Sequence, residues 1–197
     1  MTDAPAASAH RIRRARLAFI AIAVAIVVAD QIVKAWVDPA FPLASVRAAG
    51  GGFAEPTPLL GDFVRIAKTY NEGGLFGLLG GAAPLFALAS LVVIGGIVVY
   101  GLRTVGRTSP LLTLTLGLLL GGAVGNLVDR LRFGHVIDFV DMGIGAWRWY
   151  TFNVADAAIS TAIVGLIVIG VVGDRPLRSF LRRPSQRAAV GPTGGPP

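Results

Sequence analysis

Where 54% of residues are hydrophobic and only 15% charged, the polar side chains interrupting apolar stretches are the first candidates for chemistry. They are Asp30 and Lys34, Asn71, Asn126 with Asp129 and Arg130, Asp138, and Asn153 with Asp156. Carboxyls, an amine, a guanidinium and amides can transfer protons, hold a peptide or pass ions. Other chemistry is excluded by composition. There is no cysteine, so no thiol nucleophile, disulfide framework or thiolate metal site is available. His10 and His135 lie far apart and form no H-E-x-x-H pair, so no zincin-type metal site is expected.

These residues need a scaffold. Soluble domains are roughly 25% charged, and a mean hydropathy of +0.69 instead indicates a membrane protein. Four segments approach the roughly 20 apolar residues a spanning helix needs: 17–37, 84–102, 111–127 and 155–172. The first follows Arg11, Arg13, Arg14 and Arg16 and so imitates a secretory signal peptide, but it continues through Asp30 and Lys34 and three spans follow. It reads as an uncleaved anchor. The chain divides into a basic N-terminal tail (1–16), a four-span domain (17–175) and an Arg-rich, then Pro/Gly-rich tail (176–197) without visible chemistry.

An even number of spans puts both termini on one side, together with Arg103 and Arg107. That side holds eleven bases against two acids, net +9, and the other holds seven bases and nine acids, net −2. The positive-inside rule then makes both termini cytoplasmic. The overall charge of +7 thus follows from topology, and no aromatic-interleaved basic patch points to nucleic acid.

All the polar candidates fall at the outward ends of the spans or in the two outward loops. Asp30 and Lys34 are one helical turn apart and can pair, which offsets the cost of charge in a membrane helix. Residues 63–70 are strand-like between Gly61-Asp62 and the turn-prone run from Asn71 to Gly74, so a small extracytoplasmic sheet is expected. Asp141 reads as an ordinary helix cap or interfacial charge, and Trp147, Trp149 and Tyr150 as interfacial aromatics, with the lining of a lipid-facing substrate groove as the alternative. Small residues recur at packing spacing in three spans: Gly117, Gly121 and Gly125; Ala21, Ala25 and Ala29; and Ala157, Thr161 and Gly165. These stripes are expected to bring helix backbones together.

Five motifs then become specific in combination: Asp30-Gln-Ile-Val-Lys34, Asn71-Glu-Gly73-Gly-Leu-Phe76, Gly121-Gly-Ala-Val-Gly-Asn126-Leu-Val-Asp129-Arg130, Val136-Ile-Asp138-Phe139 and Phe152-Asn153-Val-Ala-Asp156. In this order and spacing the chain resembles the lipoprotein signal peptidases, or signal peptidase II, from the first span to the last. The resemblance implies a bacterial plasma-membrane aspartic endopeptidase that cuts prolipoproteins N-terminal to a diacylglyceryl-modified cysteine. It assigns the catalytic pair to Asp138 and Asp156, and support or substrate contact to Asp30, Lys34, Asn71, Gly73, Asn126, Arg130 and Asn153. It implies no cofactor and no metal. Prolipoproteins and membrane lipids are the expected partners, and the expected state is a monomer. Two departures concern the first outer loop: Gly74-Leu75 stands where the family often has two alanines, and the Gly50-Gly51-Gly52 run accompanies a longer loop.

Two carboxyls suit peptide hydrolysis without metal or covalent intermediate, because one can deprotonate water while the other protonates the carbonyl. Carboxylates in close contact cannot both ionise readily, so they titrate as a unit. The alternative is a channel or transporter using the Asp, Lys and Asn cluster for ions or protons. Such sites are expected near the bilayer midplane in broken or repeated helices, and no inverted repeat is evident. The expected fold is therefore an all-α membrane protein of four transmembrane helices with a small extracytoplasmic β-containing loop region.

Overall fold

The computed structural model describes residues 4–44, 54–72 and 83–172. Within them lie α1 (Ala4–Ala40), β1 (Thr57–Leu60), β2 (Val64–Asn71), α2 (Ala83–Thr104), α3 (Pro110–Phe133), β3 (Val136–Ile144), β4 (Trp147–Arg148) and α4 (Val154–Val172). All four helices contain stretches long and apolar enough to cross a membrane. The chain is thus a four-helix membrane protein with a small antiparallel sheet. Gly73, with Gly74, Leu75 and the Gly50 to Gly52 run, lies outside the described residues, as does the tail beyond Val172.

The first helix starts thirteen residues earlier than expected. Alanine and arginine are strong helix formers, and this end also has tertiary partners. The Arg16 guanidinium donates to the Leu102 carbonyl at the end of α2 (2.6 Å). Gly106, at φ +83°, passes so close to the Ile12 backbone that a Cβ would lie 2.7 Å from Ile12 Cα.

The third helix is the middle of the bundle and the most buried of the four. Ser109 caps its start by accepting from Leu112 N (3.2 Å), ahead of Pro110 in the first turn. Phe19 and Ala23 of α1, Ile97 of α2 and Leu112, Leu116 and Leu120 of α3 form the core of the half nearest the termini. The glycine stripe of α3 works as expected. A Cβ on Gly117 or Gly121 would collide with Ile22 or the Ala23 carbonyl of α1, and one on Gly122 would collide with the Ala155 carbonyl of α4.

The other two stripes need correction. Ala21, Ala25 and Ala29 face outward, as do Ala157 and Thr161, while the packed faces carry Ala23 and Asp30 on α1 and Ala155, Ala158, Ala162 and Gly165 on α4. Spacing of four fixes a face of a helix without specifying which face meets a neighbour.

The sheet has strand order β1-β2-β3-β4, every pairing antiparallel. Its central ladder joins the α1–α2 and α3–α4 connections: β2 pairs with β3 from Val64 opposite Met142 to Asn71 opposite Val136, with a register shift between Ile66 and Thr69. The segment around Asp138, expected as loop, is therefore a strand. Val37, Ile66 and Phe139 are buried together with Val33, Phe41, Val140 and Val154 against them. This second core seats the sheet on the ends of α1 and α4.

Candidate active site

The start of α4 sets the geometry. Asn153 is its cap: Asn153 Oδ1 accepts from Asp156 N (2.9 Å), while Asp156 Oδ2 accepts from Asn153 N (3.3 Å). This is a capping box built from Asn and Asp, satisfying two otherwise orphaned donors reciprocally. A further helix-start donor, Ala155 N, is taken by Asp30 Oδ1 from α1 (2.9 Å). The Asp156 side chain is thereby held at the mouth of the bundle.

Asp138 arrives from β3. Its partner in the ladder is Thr69, and Asn71, two residues further along β2, reaches it diagonally on the same face. Asn71 Nδ2 donates to Asp138 Oδ2 (3.0 Å) and Asn153 Nδ2 donates to Asp138 Oδ1 (2.7 Å). Asn126 of α3 completes the cradle, donating from Nδ2 to Asp156 Oδ1 (2.7 Å) and accepting from Asn153 Nδ2 (3.1 Å). One amide, that of Asn153, thus contacts both the Asp138 carboxyl and the backbone of Asp156.

Behind this cradle sits an ionic layer. Lys34 Nζ contacts Asp30 Oδ2 (2.8 Å), Asp129 Oδ2 (2.7 Å) and Asn126 Oδ1 (3.2 Å), and all three charged side chains are buried. An ammonium has three donors, and all are used. Asp129 also accepts from Gln31 Nε2 (2.8 Å) and from the Ile137 backbone N–H (3.1 Å), tying α3 to the strand that carries Asp138. Arg130 flanks the site. It donates to the Asn126 carbonyl (3.3 Å), lies over the Phe86 ring at 6.0 Å, and feels the charges of Asp156, Asp138 and Asp129.

Asp138 is 1% exposed. Burial, and secondly the charge of Asp156, push its carboxyl up to about 7, against the opposing pull of the Asn71 and Asn153 hydrogen bonds. Asp156 is partly open to the surface. A closely held pair with one member inclined to keep its proton can donate and accept protons in one cycle. Among the described residues no three His, Cys, Asp or Glu side chains are grouped as a metal site would need.

Of the residues singled out from sequence, Asp138, Asp156, Asn71, Asn126 and Asn153 form one hydrogen-bonded cluster, Asp30 and Lys34 support it from behind, and Arg130 borders it. Gly73 is outside the described residues. Asp129, though among the polar candidates, was assigned no role in the site, and Gln31 was not singled out. Asp129 carried a signal, standing three residues after Asn126 and so on one helical face with it; Gln31 carried none. Asp141, expected as an ordinary helix cap or interfacial charge, is instead a fully buried strand residue. Burial alone would raise its carboxyl, yet hydrogen bonds from Arg148 and Arg65 hold it below the usual range, and the three clasp the sheet.

Fold and site together define a four-span membrane protein with a carboxyl pair where the bundle meets its sheet. Residues 22–172 match the family model described as signal peptidase (SPase) II. The chain is 39% identical over 156 residues to a lipoprotein signal peptidase of Syntrophomonas wolfei, covering 78% of this chain and 93% of that protein. A lipoprotein signal peptidase of Xanthomonas euvesicatoria is 35% identical over 158 residues, covering 79% and 86%. A solved structure described as a bacterial membrane enzyme superposes with a TM-score of 0.67 at 24% identity, covering 79% of this chain and 93% of that one, which is a likeness of fold. The chain belongs to the signal peptidase II family and is a multi-pass membrane peptidase.

Proposed function

We propose that this chain removes the signal peptide from prolipoproteins by cleaving N-terminal to the diacylglyceryl-modified cysteine, with Asp138 and Asp156 as its catalytic pair. The observation that carries the aspartic assignment is the Asn153 bridge, which holds Asp138 by its side-chain amide and Asp156 by its backbone N–H. The similarity to lipoprotein signal peptidases supports the substrate class.

In this reading Asp138, buried and inclined to protonation, is the acid, and the more accessible Asp156 is the base. Asp156 takes a proton from water as the water oxygen bonds to the scissile carbonyl carbon, and Asp138 gives its proton to the carbonyl oxygen. The tetrahedral diol then collapses. Asp156 delivers its proton to the departing nitrogen, Asp138 recovers one from the diol hydroxyl, and the C–N bond breaks to give a carboxylic acid and an amine. Asn71, Asn126 and Asn153 orient the pair, and Arg130 contacts the peptide. Both termini are cytoplasmic and the site lies on the extracytoplasmic side, where the lipid-modified cysteine stays in the membrane while its peptide bond reaches the carboxyls.

The position of the polar groups at one end of the bundle, away from its middle, disfavours the channel or transporter alternative. The test is cleavage of a diacylglyceryl-modified prolipoprotein by purified protein in detergent. Asp138→Asn and Asp156→Asn should each abolish it while the protein stays folded, and substantial turnover by either variant would overturn the assignment.

A further inference from the structure

Beyond the ionic layer of Asp30, Lys34 and Asp129, a second polar cleft opens between the ends of α1 and α3. Its volume is about 190 Å3, many times the roughly 10–15 Å3 that admits one water. Gln31, Ala35 and Asp38 of α1, Arg132 of α3 and Ile137 of β3 form its walls, with the buried Lys34 and Asp129 at its floor. Neither carboxyl of the pair and none of the three amides around them lines it.

The charges of this cleft are opposite in sign and unmatched. Arg132 has no carboxylate within ion-pair reach among the described residues; its guanidinium makes one long contact, to Gln31 Oε1 (3.4 Å), and lies over the Phe133 ring at 4.8 Å. Asp38 Oδ1 accepts from Lys68 Nζ (3.2 Å) and from the Tyr70 hydroxyl (3.0 Å), while its Oδ2 accepts from nothing among the described residues. At the floor, Asp30 and Asp129 share the single ammonium of Lys34, which leaves surplus negative charge there.

We propose that this cleft binds the headgroup of a membrane phospholipid of the phosphatidylethanolamine type, Arg132 holding its phosphate and Asp38 accepting from its ammonium. A lone anion would face the negative floor, and a lone cation would face Arg132. A group that joins both charges meets each with its opposite. The depth of the cleft selects lipid as the source. Arg16 and Asp38 lie 22 residues apart on α1, about 33 Å at 1.5 Å per residue, against a hydrocarbon core roughly 30 Å thick. With Arg16 at one face of the bilayer, Asp38 and Arg132 stand among the headgroups of the other. The flanks agree with this depth. Val24, Val28 and Ile32 form an exposed apolar stripe on α1 that ends at exposed Trp36, and Leu131 is exposed beside Arg132 on α3. The stripe offers a bed for acyl chains, and Trp is the residue that favours the interface. Ile137 forms the inner wall and precedes Asp138, so a filled cleft braces the strand that carries that carboxyl.

The test counts bound lipid by native mass spectrometry of the full chain released from an uncharged detergent, and no cleavage is involved. The protein is offered an equimolar mixture of phosphatidylethanolamine, phosphatidylcholine and phosphatidylglycerol with identical chains. The 1:1 ethanolamine adduct should exceed each of the others about tenfold, the worth of one hydrogen bond between charged groups, because choline has no N–H to give Asp38 and glycerol has no charge. Arg132→Gln should abolish the preference, and so should Ala35→Leu, which fills the cleft without touching a charge; both positions are exposed, and circular dichroism checks that both variants fold. Free phosphoethanolamine at the same concentration should leave no adduct. Equal adducts of all three lipids would reduce the cleft to ordinary solvation by lipid and overturn the proposal. So would dominance of phosphatidylglycerol, a preference that survives Arg132→Gln and Ala35→Leu, or equal binding of the free headgroup, which would make a soluble molecule the occupant.

Discussion

Lys34 of α1 and Asp129 of α3 form a fully buried ion pair, Nζ to Oδ2 2.7 Å, and the same ammonium also holds Asp30 at 2.8 Å. Two carboxylates therefore depend on one cation. Lys34→Ala should leave both facing each other and cost on the order of 3–5 kcal/mol, the usual penalty for breaking a buried pair. Thermal unfolding in detergent would register it as a large fall in Tm. Asp30→Ala should affect both stability and turnover, because it also frees Ala155 N at the start of α4, one residue before Asp156. Combining Asp30→Ala with Lys34→Ala should recover only part of the coupling, since Asp129 remains unpaired. Strict additivity would contradict the shared-cation arrangement.

The Asp138 carboxyl provides a pH prediction. Its pKa is raised from 3.8 to about 7 in the folded protein, so the folded state binds more protons across that interval. Its contribution to stability is fully present below 3.8 and is lost as pH rises through about 7. Turnover should fall through the same alkaline limb as the acid loses its proton. Asp138→Asn should flatten the dependence of Tm on pH over this window. An unchanged slope would show that Asp138 is not the titrating group.

Glycine at the contact of α3 with α4 is a positional requirement. A Cβ on Gly122 would strike the Ala155 carbonyl, next to Asp156, whereas a Cβ on Gly95 would meet nothing within 4 Å. Gly122→Ala should destabilise by about 1–3 kcal/mol, as overpacking does, and lower turnover of the folded fraction by moving Asp156. Gly95→Ala should do neither. Parallel melting curves and turnover measurements would separate the two, and equal behaviour would refute close approach at Gly122.

The proposed orientation, with both termini cytoplasmic, rests on the charge asymmetry of the two sides. A reporter active only outside the cytoplasm should be silent when fused after Pro197 and active when inserted after Gly145. The reverse pattern would place the carboxyls on the cytoplasmic side and remove the case for a secreted lipoprotein substrate.

Hydropathy alone determined four spans, because crossing a bilayer demands long apolar helices whatever their neighbours. Five motifs in order and spacing, those around Asp138 and Asp156 among them, carried the family resemblance, and the pairing of Asp30 with Lys34 was legible from helical spacing. Tertiary structure decided the rest. Asn71 reaches Asp138 across 67 residues of sequence through a ladder between two loops, and no local pattern encodes that register. Asp30 caps α4 from 125 residues away. Ala21, Ala25 and Ala29 turned to the outside although their spacing matched the buried glycines of α3. Periodicity reports only which side chains share a face; which face is buried, and which donors a carboxylate finds there, depends on how the helices rotate against one another and where the sheet comes to rest.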